Sequence, residues 1–127
     1  MDIFISHERP EPLYAQIVEQ VKEQIARGVL EPDEQLPSIR NLAKQLEVSV
    51  ITTKRAYEEL ENEGLIYSVH GRGRFIRAQA DNAKTEWLRL EFEKKLEAVL
   101  QEGRLLGLTA NDIRLLIDVY LEEEETK

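Results

Sequence analysis

Apolar residues along this chain recur at helical spacing, then in two short strand-like runs, then at helical spacing again. Tyr14, Ile17, Val18, Val21 and Ile25 follow one another at intervals of three and four, describing one face of a helix. Pro12 suits its first position, where a missing N–H costs nothing, and Gly28 suits its end. Arg27 falls in the last turn, where a cation meets the negative end of the dipole, and Glu31-Pro32-Asp33 has turn composition. Ser38 stands before Ile39, Leu42, Ala43 and Leu46, so its hydroxyl oxygen can accept from the orphan amides of a second, short helix. After only Glu47 and Val48, Ser49 repeats the arrangement and opens a third helix, whose apolar face is Ala56, Tyr57 and Leu60 and whose end is Gly64. Two helices joined by so tight a turn predict a helix-turn-helix.

Leu65 to Val69 has strand composition, His70-Gly71-Arg72-Gly73 has turn composition, and Arg74 to Arg77 resumes the strand pattern, which predicts a β-hairpin wing. Its two glycines allow positive φ at the tip, and its arginines place charge where such a hairpin would meet a phosphate backbone. Ala78 to Ala83 is small, polar and aperiodic. Beyond it, a helix from about Lys84 to Glu102 carries Leu88, Phe92, Leu96, Val99 and Leu100 on one face, with Trp87 and Leu90 off it. A second helix opens with Thr109 and Asp112 spaced as a capping box, then carries Ile113, Leu116, Ile117, Tyr120 and Leu121 on one face, with Leu115 and Val119 off it. The run Glu122 to Glu125 reads as a solvated, fraying end. The expectation is an α+β fold: a winged helix-turn-helix of three helices and a hairpin over residues 1–77, a linker at 78–83, and a two-helix dimerisation tail over 84–127. A lone helix pair cannot bury stripes on two sides. Trp87, Leu90, Leu115 and Val119 are therefore expected to pack on a partner chain, making a homodimer, or back onto the winged domain.

Composition narrows the chemistry. With no cysteine and with His7 and His70 standing 63 positions apart, the chain is expected to hold no metal and no cofactor. No nucleophile pairs with a base and no phosphate loop is present, so an enzyme fails for want of parts. No apolar run approaches the roughly 18 residues that span a bilayer, and Met1 to Pro10 lacks a signal-peptide pattern, so the expected location is the cytoplasm. The net charge of −8 runs against nucleic acid when taken whole. Its distribution differs: residues 36–80 hold seven Lys and Arg against five Glu, a net of +2 that leaves −10 for the remainder.

Leu36-Pro37-Ser38-Ile39-Arg40, Leu42-Ala43, Val48-Ser49, Arg55-Ala56-Tyr57, Leu60-Glu61, Glu63-Gly64-Leu65-Ile66 and Gly71-Arg72-Gly73 together resemble the DNA-binding domain of the GntR family of bacterial regulators, over residues 11 to 77. A tail of some 50 residues is similar to that of the YtrA subfamily and leaves no room for the larger ligand-binding domains of other subfamilies. The resemblance implies a double-stranded DNA operator as partner, contacts from Arg40, and contacts from the first two turns of the third helix at Ser49, Val50, Ile51, Thr52 and Lys54. It places the wing tip, His70 and Gly71 with Arg72 behind, near the minor groove, and it implies dimerisation through the tail and control of a transporter operon. Many relatives carry arginine and threonine where this chain has Val50 and Ile51, so the usual base contacts do not carry over there.

Helical geometry at 100° per residue points Ile51 and Arg55 away from Ala56, Tyr57 and Leu60, puts Thr53 on the buried side and leaves Lys54 at the flank. Ser49 caps the helix or meets phosphate through its first amides. The expected function is a dimeric repressor on a near-palindromic operator; the alternative is a winged helix that assembles proteins without specific DNA binding. A small-molecule effector is left unassigned. Trp87, near the linker, is a candidate to line its site, although a tryptophan on a helix flank is more often an interface anchor.

Overall fold

A computed structural model describes residues 1–125; Thr126 and Lys127, the last two positions of the expected tail, lie outside the described residues. The elements are α1 (Leu13–Ala26), α2 (Ile39–Leu46), α3 (Val50–Asn62), β1 (Ile66–Val69), β2 (Gly73–Ile76), α4 (Asp81–Leu105) and α5 (Ala110–Glu125). The chain divides into two compact units, Met1–Leu88 and the part from Arg89 onward, with the division falling inside α4.

In the first unit α1 and α2 both pack on α3. Ile17, Val21 and Ile25 of α1, Leu42 of α2, Ala56, Tyr57 and Leu60 of α3, and Ile66 and Ile76 of the wing form one buried cluster. Each such large apolar side chain taken out of water stabilises by roughly 1.5–3 kcal/mol. Ser38 and Ser49 cap as their positions demand: Ser38 Oγ accepts from the Asn41 amide at 3.1 Å and Ser49 Oγ from the Thr52 amide at 3.0 Å. Pro12 proves to be the N-cap rather than the first helical residue, with extended backbone at ψ 151°. Arg27 is the C-cap of α1, and its Nε donates to the Glu23 carboxylate.

The wing pairs antiparallel from Ile66↔Ile76 to Val69↔Gly73, and Tyr67 stacks on Phe75 with ring centroids 5.6 Å apart. The loop before α2 lies along its outer edge. The Asp33 amide donates to Ile76 O at 2.7 Å, the Ile76 amide to Glu34 O at 2.9 Å, and the Leu36 amide to Arg74 O at 2.9 Å. Gly73 is required at this seam by its φ of +118°, and a Cβ there would also press on Gln35 Nε2 at 3.0 Å.

The N-terminal segment, for which the sequence offers no periodicity, runs extended along α1 with Ile3 buried in the core. Gln16, Gln20 and Gln24 grip it. Gln16 Oε1 and Nε2 bond the Ser6 amide and carbonyl, and Gln20 Oε1 and Nε2 bond those of Phe4 at 2.8 Å each. Gln24 Nε2 reaches Asp2 O at 2.6 Å, while its Oε1 is buried without a partner. Four helical residues rise about 6 Å and two extended residues about 6.7 Å, so the two repeats almost match over these rungs.

In the second unit, α5 is capped by the expected box, with the Thr109 amide donating to Asp112 Oδ2 at 2.9 Å and the Asp112 amide to Thr109 Oγ1 at 3.1 Å. The bond from the Thr109 amide first, and the Thr109 hydroxyl beside it, hold the Asp112 carboxyl below its ordinary pKa. The helices meet at their turn, where buried Gly103 faces the Ile113 side chain. They otherwise leave a groove of about 330 Å³ walled by Leu96, Val99, Leu100, Leu116, Ile117 and Tyr120. Both apolar stripes stay open within the pair: no described residue of α5 is buried, and Phe92, Val99, Tyr120 and Leu121 are exposed. Two boundaries also move. α4 begins at Asp81, inside the expected linker, and α5 continues through Glu125, so Glu122 to Glu125 are helical. Among the described residues no helix is long and apolar enough to cross a membrane.

Tyr57 sits at the centre of the first unit, fully buried, and its hydroxyl donates to Pro37 O at 2.7 Å. Burial pushes this hydroxyl well above the ordinary tyrosine pKa, against the pull of the Arg74 cation. In the unfolded chain it ionises near pH 10. The stability held by the protonated, bonded form is therefore complete below about pH 10 and falls as pH rises further, because unfolding then releases a proton. Tyr57→Phe is expected to cost about 1 kcal/mol in urea unfolding at neutral pH, and the gap to wild type is expected to narrow above about pH 10. A gap unchanged across that range would show that the hydroxyl is not shielded.

Candidate nucleic-acid interface

The turn between α2 and α3 depends on Glu47, which adopts left-handed backbone at φ +55°. A non-glycine residue there costs about 1–2 kcal/mol. The conformation lets the Val48 amide reach Ala43 O at 3.0 Å and the Glu47 amide reach Lys44 O at 3.3 Å, satisfying carbonyls that α2 leaves open. Ser49 then starts α3. Its Oγ accepts from the Thr52 amide and donates to Thr52 Oγ1 at 2.8 Å, so Ser49 and Thr52 are occupied with each other at the helix start. Thr53 is buried, and its Oγ1 donates to Ser49 O at 3.3 Å.

With Thr53, Ala56, Tyr57 and Leu60 turned inward, α3 presents Val50, Ile51, Lys54 and Arg55 outward. Ile51 is 79% exposed, the signature of a residue with no partner inside its own chain. Lys54 pairs loosely with Glu58 at 3.8 Å on the same helix. Arg55 behaves differently: its guanidinium carbon lies 3.8 Å above the centre of the Tyr14 ring. Arg40, in the first turn of α2, is exposed and has no side-chain partner among the described residues.

The wing tip exposes His70, Gly71 and Arg72. Gly71 has φ +77°, and the Arg72 amide closes the turn on Val69 O at 2.9 Å. Gln35 Nε2 holds Arg72 O at 2.8 Å, so the base of the tip is tied to the loop before α2. Arg74, grouped in sequence with the outward wing charges, turns inward. Its guanidinium carbon is 5.7 Å from the Tyr57 ring centre and its Nε is buried without a partner. The result is a surface of exposed apolar and cationic side chains on one helix beside a cationic hairpin. A helix of that kind suits a groove of DNA, where an apolar side chain can meet a thymine methyl and cations meet phosphates. No cluster of metal-ligating side chains occurs among the described residues.

The four residues expected at a subunit interface differ in exposure. Trp87 is half-buried in the first unit, where it lines a cavity of about 210 Å³ with Lys22, Ile25, Leu65, Gln79 and Lys84. Leu90, Leu115 and Val119 are exposed. Two residues beside this surface carry little signal in the sequence. Tyr14 counts as a core position by periodicity, and only its place in the first turn of α1, at the margin of the buried face, hints that its ring is open to another helix. Gln35 carries no sequence signal, because its role depends on the wing folding back beside it.

Residues 13–76 match the model of the bacterial regulatory proteins of the gntR family. Over 109 residues the chain is 35% identical to the HTH-type transcriptional repressor YtrA of Bacillus subtilis (strain 168), covering 86% of this chain and 72% of that protein. Among solved structures, a GntR family transcriptional regulator from Listeria monocytogenes superposes with a TM-score of 0.65 at 33% identity, covering 87% of this chain and 96% of that one. AraR(DBD) in complex with operator ORX1 superposes with a TM-score of 0.53 at 32% identity, covering 60% of this chain and 95% of that one.

Proposed function

The chain belongs to the GntR family of bacterial regulatory proteins, and from that premise we propose that it is a dimeric repressor of the YtrA subfamily, acting on a near-palindromic operator. Family and fold are those of transcription factors, not of enzymes. The observation that carries the reading is the outer face of α3, where Ile51 is left 79% exposed beside Val50, Lys54 and Arg55. Such a face costs solubility unless something covers it, and a major groove is the surface that a helix at this place in a winged helix-turn-helix meets. In this reading Arg40, Ser49 and Thr52 approach the backbone, Val50 and Ile51 face base edges, and Lys54 and Arg55 take phosphates. His70, Gly71 and Arg72 enter from the wing. Resemblance to a relative named as a repressor, and to a domain solved with its operator, supports the same direction.

Dimerisation is supported by the second unit. Leu90, Phe92, Val99, Leu115, Val119 and Tyr120 are exposed there, far more apolar surface than a helix pair of this size tolerates in water. A second copy presenting the same surface covers it symmetrically and brings two recognition helices to half-sites about one helical turn apart. Recovery of one duplex sequence by the protein from a random DNA pool tests the reading. Retention of no sequence above background would favour a winged helix used for protein assembly.

Two further outcomes are expected. Leu115→Asp combined with Val119→Asp should sediment as a monomer and bind the recovered duplex at least about 100-fold more weakly, since linked half-sites gain through effective concentration. A variant that still sediments as a dimer would remove these residues from the interface. Ile51 should read thymine through its C5-methyl. Replacing thymines one at a time by uracil should cost about 1 kcal/mol at one position of each half-site for wild type and nothing for Ile51→Ala. Equal penalties in both proteins would take that contact away from Ile51.

A further inference from the structure

We propose that Tyr14 is a positioning residue of the DNA interface: its ring holds the Arg55 guanidinium flat against α1, so that α3 presents a fixed plane of N–H donors to a backbone phosphate. The proposal rests on the DNA-binding reading above and deepens it by naming how one cation is aimed.

Arg55 Cζ lies over the Tyr14 ring, 3.8 Å from its centre, which is van der Waals contact and the distance of a guanidinium laid on an aromatic face. Tyr14 is half-buried at the start of α1, and α1 is locked onto α3 by the core, so the ring is a firm support. Arg55 is exposed and makes no ion pair or hydrogen bond among the described residues. Three other cations, on α3, on α1 and at the C-cap of α1, are held in a different way. Lys54 pairs with Glu58, Lys22 with Glu63, and Arg27 with Glu23, each giving up donors and charge to a carboxylate. Stacking uses only the face of the guanidinium. Its edge donors and its full charge remain available, and the freedom that a long side chain loses on docking is already restricted.

A phosphate fits this arrangement better than a base. Two phosphate oxygens accept parallel N–H bonds in the plane of the guanidinium, leaving its face on the ring. A base edge deep in the groove would require Arg55 to extend along the outward direction of α3, alongside Ile51, and so to leave Tyr14. The stack therefore predicts a contribution to affinity that is the same for every DNA sequence.

The full-length chain tests this in wild-type, Tyr14→Leu, Tyr14→Phe, Arg55→Ala, Arg55→Lys and Tyr14→Leu/Arg55→Ala forms. Fluorescence anisotropy would follow binding to the duplex recovered by wild type and to a scrambled duplex of equal length, across a salt series, with a thermal melt of each protein. Tyr14→Leu should weaken both duplexes alike, by about two- to fivefold, and Tyr14→Phe should bind as wild type because it keeps the ring. Arg55→Ala should lower the salt slope by about one counterion, and its cost should shrink in the Tyr14→Leu background. Arg55→Lys should keep the slope yet lose as much affinity as Tyr14→Leu, which tests the stack without touching α1 should Tyr14→Leu fail to fold. Additive costs, a salt slope unmoved by Arg55→Ala, or an Arg55→Lys variant as tight as wild type would each overturn the proposal. Failure of wild type to bind either duplex would instead remove the DNA-binding reading beneath it.

Discussion

The bond from the buried Tyr57 hydroxyl to the carbonyl of Pro37 fixes α3 against the loop that leads into α2, where the surrounding side chains otherwise meet through apolar contact. Apolar packing is non-directional and tolerates small rotations of a helix about its axis. A phenol that must find an acceptor inside the core does not. With Tyr57 fixed, Ala56 and Leu60 lie inward, Ile51 has no direction left but outward, and Arg55 emerges at the edge where its guanidinium meets Tyr14. Pro37 immediately precedes the Ser38 cap, so the same bond locates the start of α2. The loop just before it continues into the wing through Leu36 and Arg74. One buried hydroxyl thus registers α3 against both α2 and the hairpin.

Charge follows a related economy. A chain of net charge −8 repels nucleic acid at long range, while residues 36–80 carry a net of +2. In the proposed reading, weak general attraction lowers the background of non-specific binding and leaves more of the discrimination to the exposed face of α3. The inward turn of Arg74 fits that account, since it withdraws one wing cation from the surface and sets it over Tyr57.

The helices and the wing were legible because each is announced locally. Serines precede α2 and α3, glycines follow α1 and α3, and apolar spacing of three and four marks the faces between. Exposure of Ile51 followed from helical geometry alone. Contacts between distant segments were not legible. The glutamine ladder on α1 reads in sequence as three polar residues on a helix flank, and its meaning appears only when an extended segment lies beside it. The stack of Arg55 on Tyr14 and the inward course of Arg74 are likewise set by packing between elements. In the second unit the periodicity placed the helices but not what covers them, because two apolar stripes on each helix are compatible with more than one partner.

The central claim is that two copies of this winged helix-turn-helix read one operator, and hydroxyl-radical footprinting of the duplex recovered by wild type tests it most directly. Protection on each strand should fall in two patches related by a two-fold axis, with centres about 10–10.5 base pairs apart or a multiple of that spacing. A single patch without symmetry, or protection spread evenly along the duplex, would contradict it.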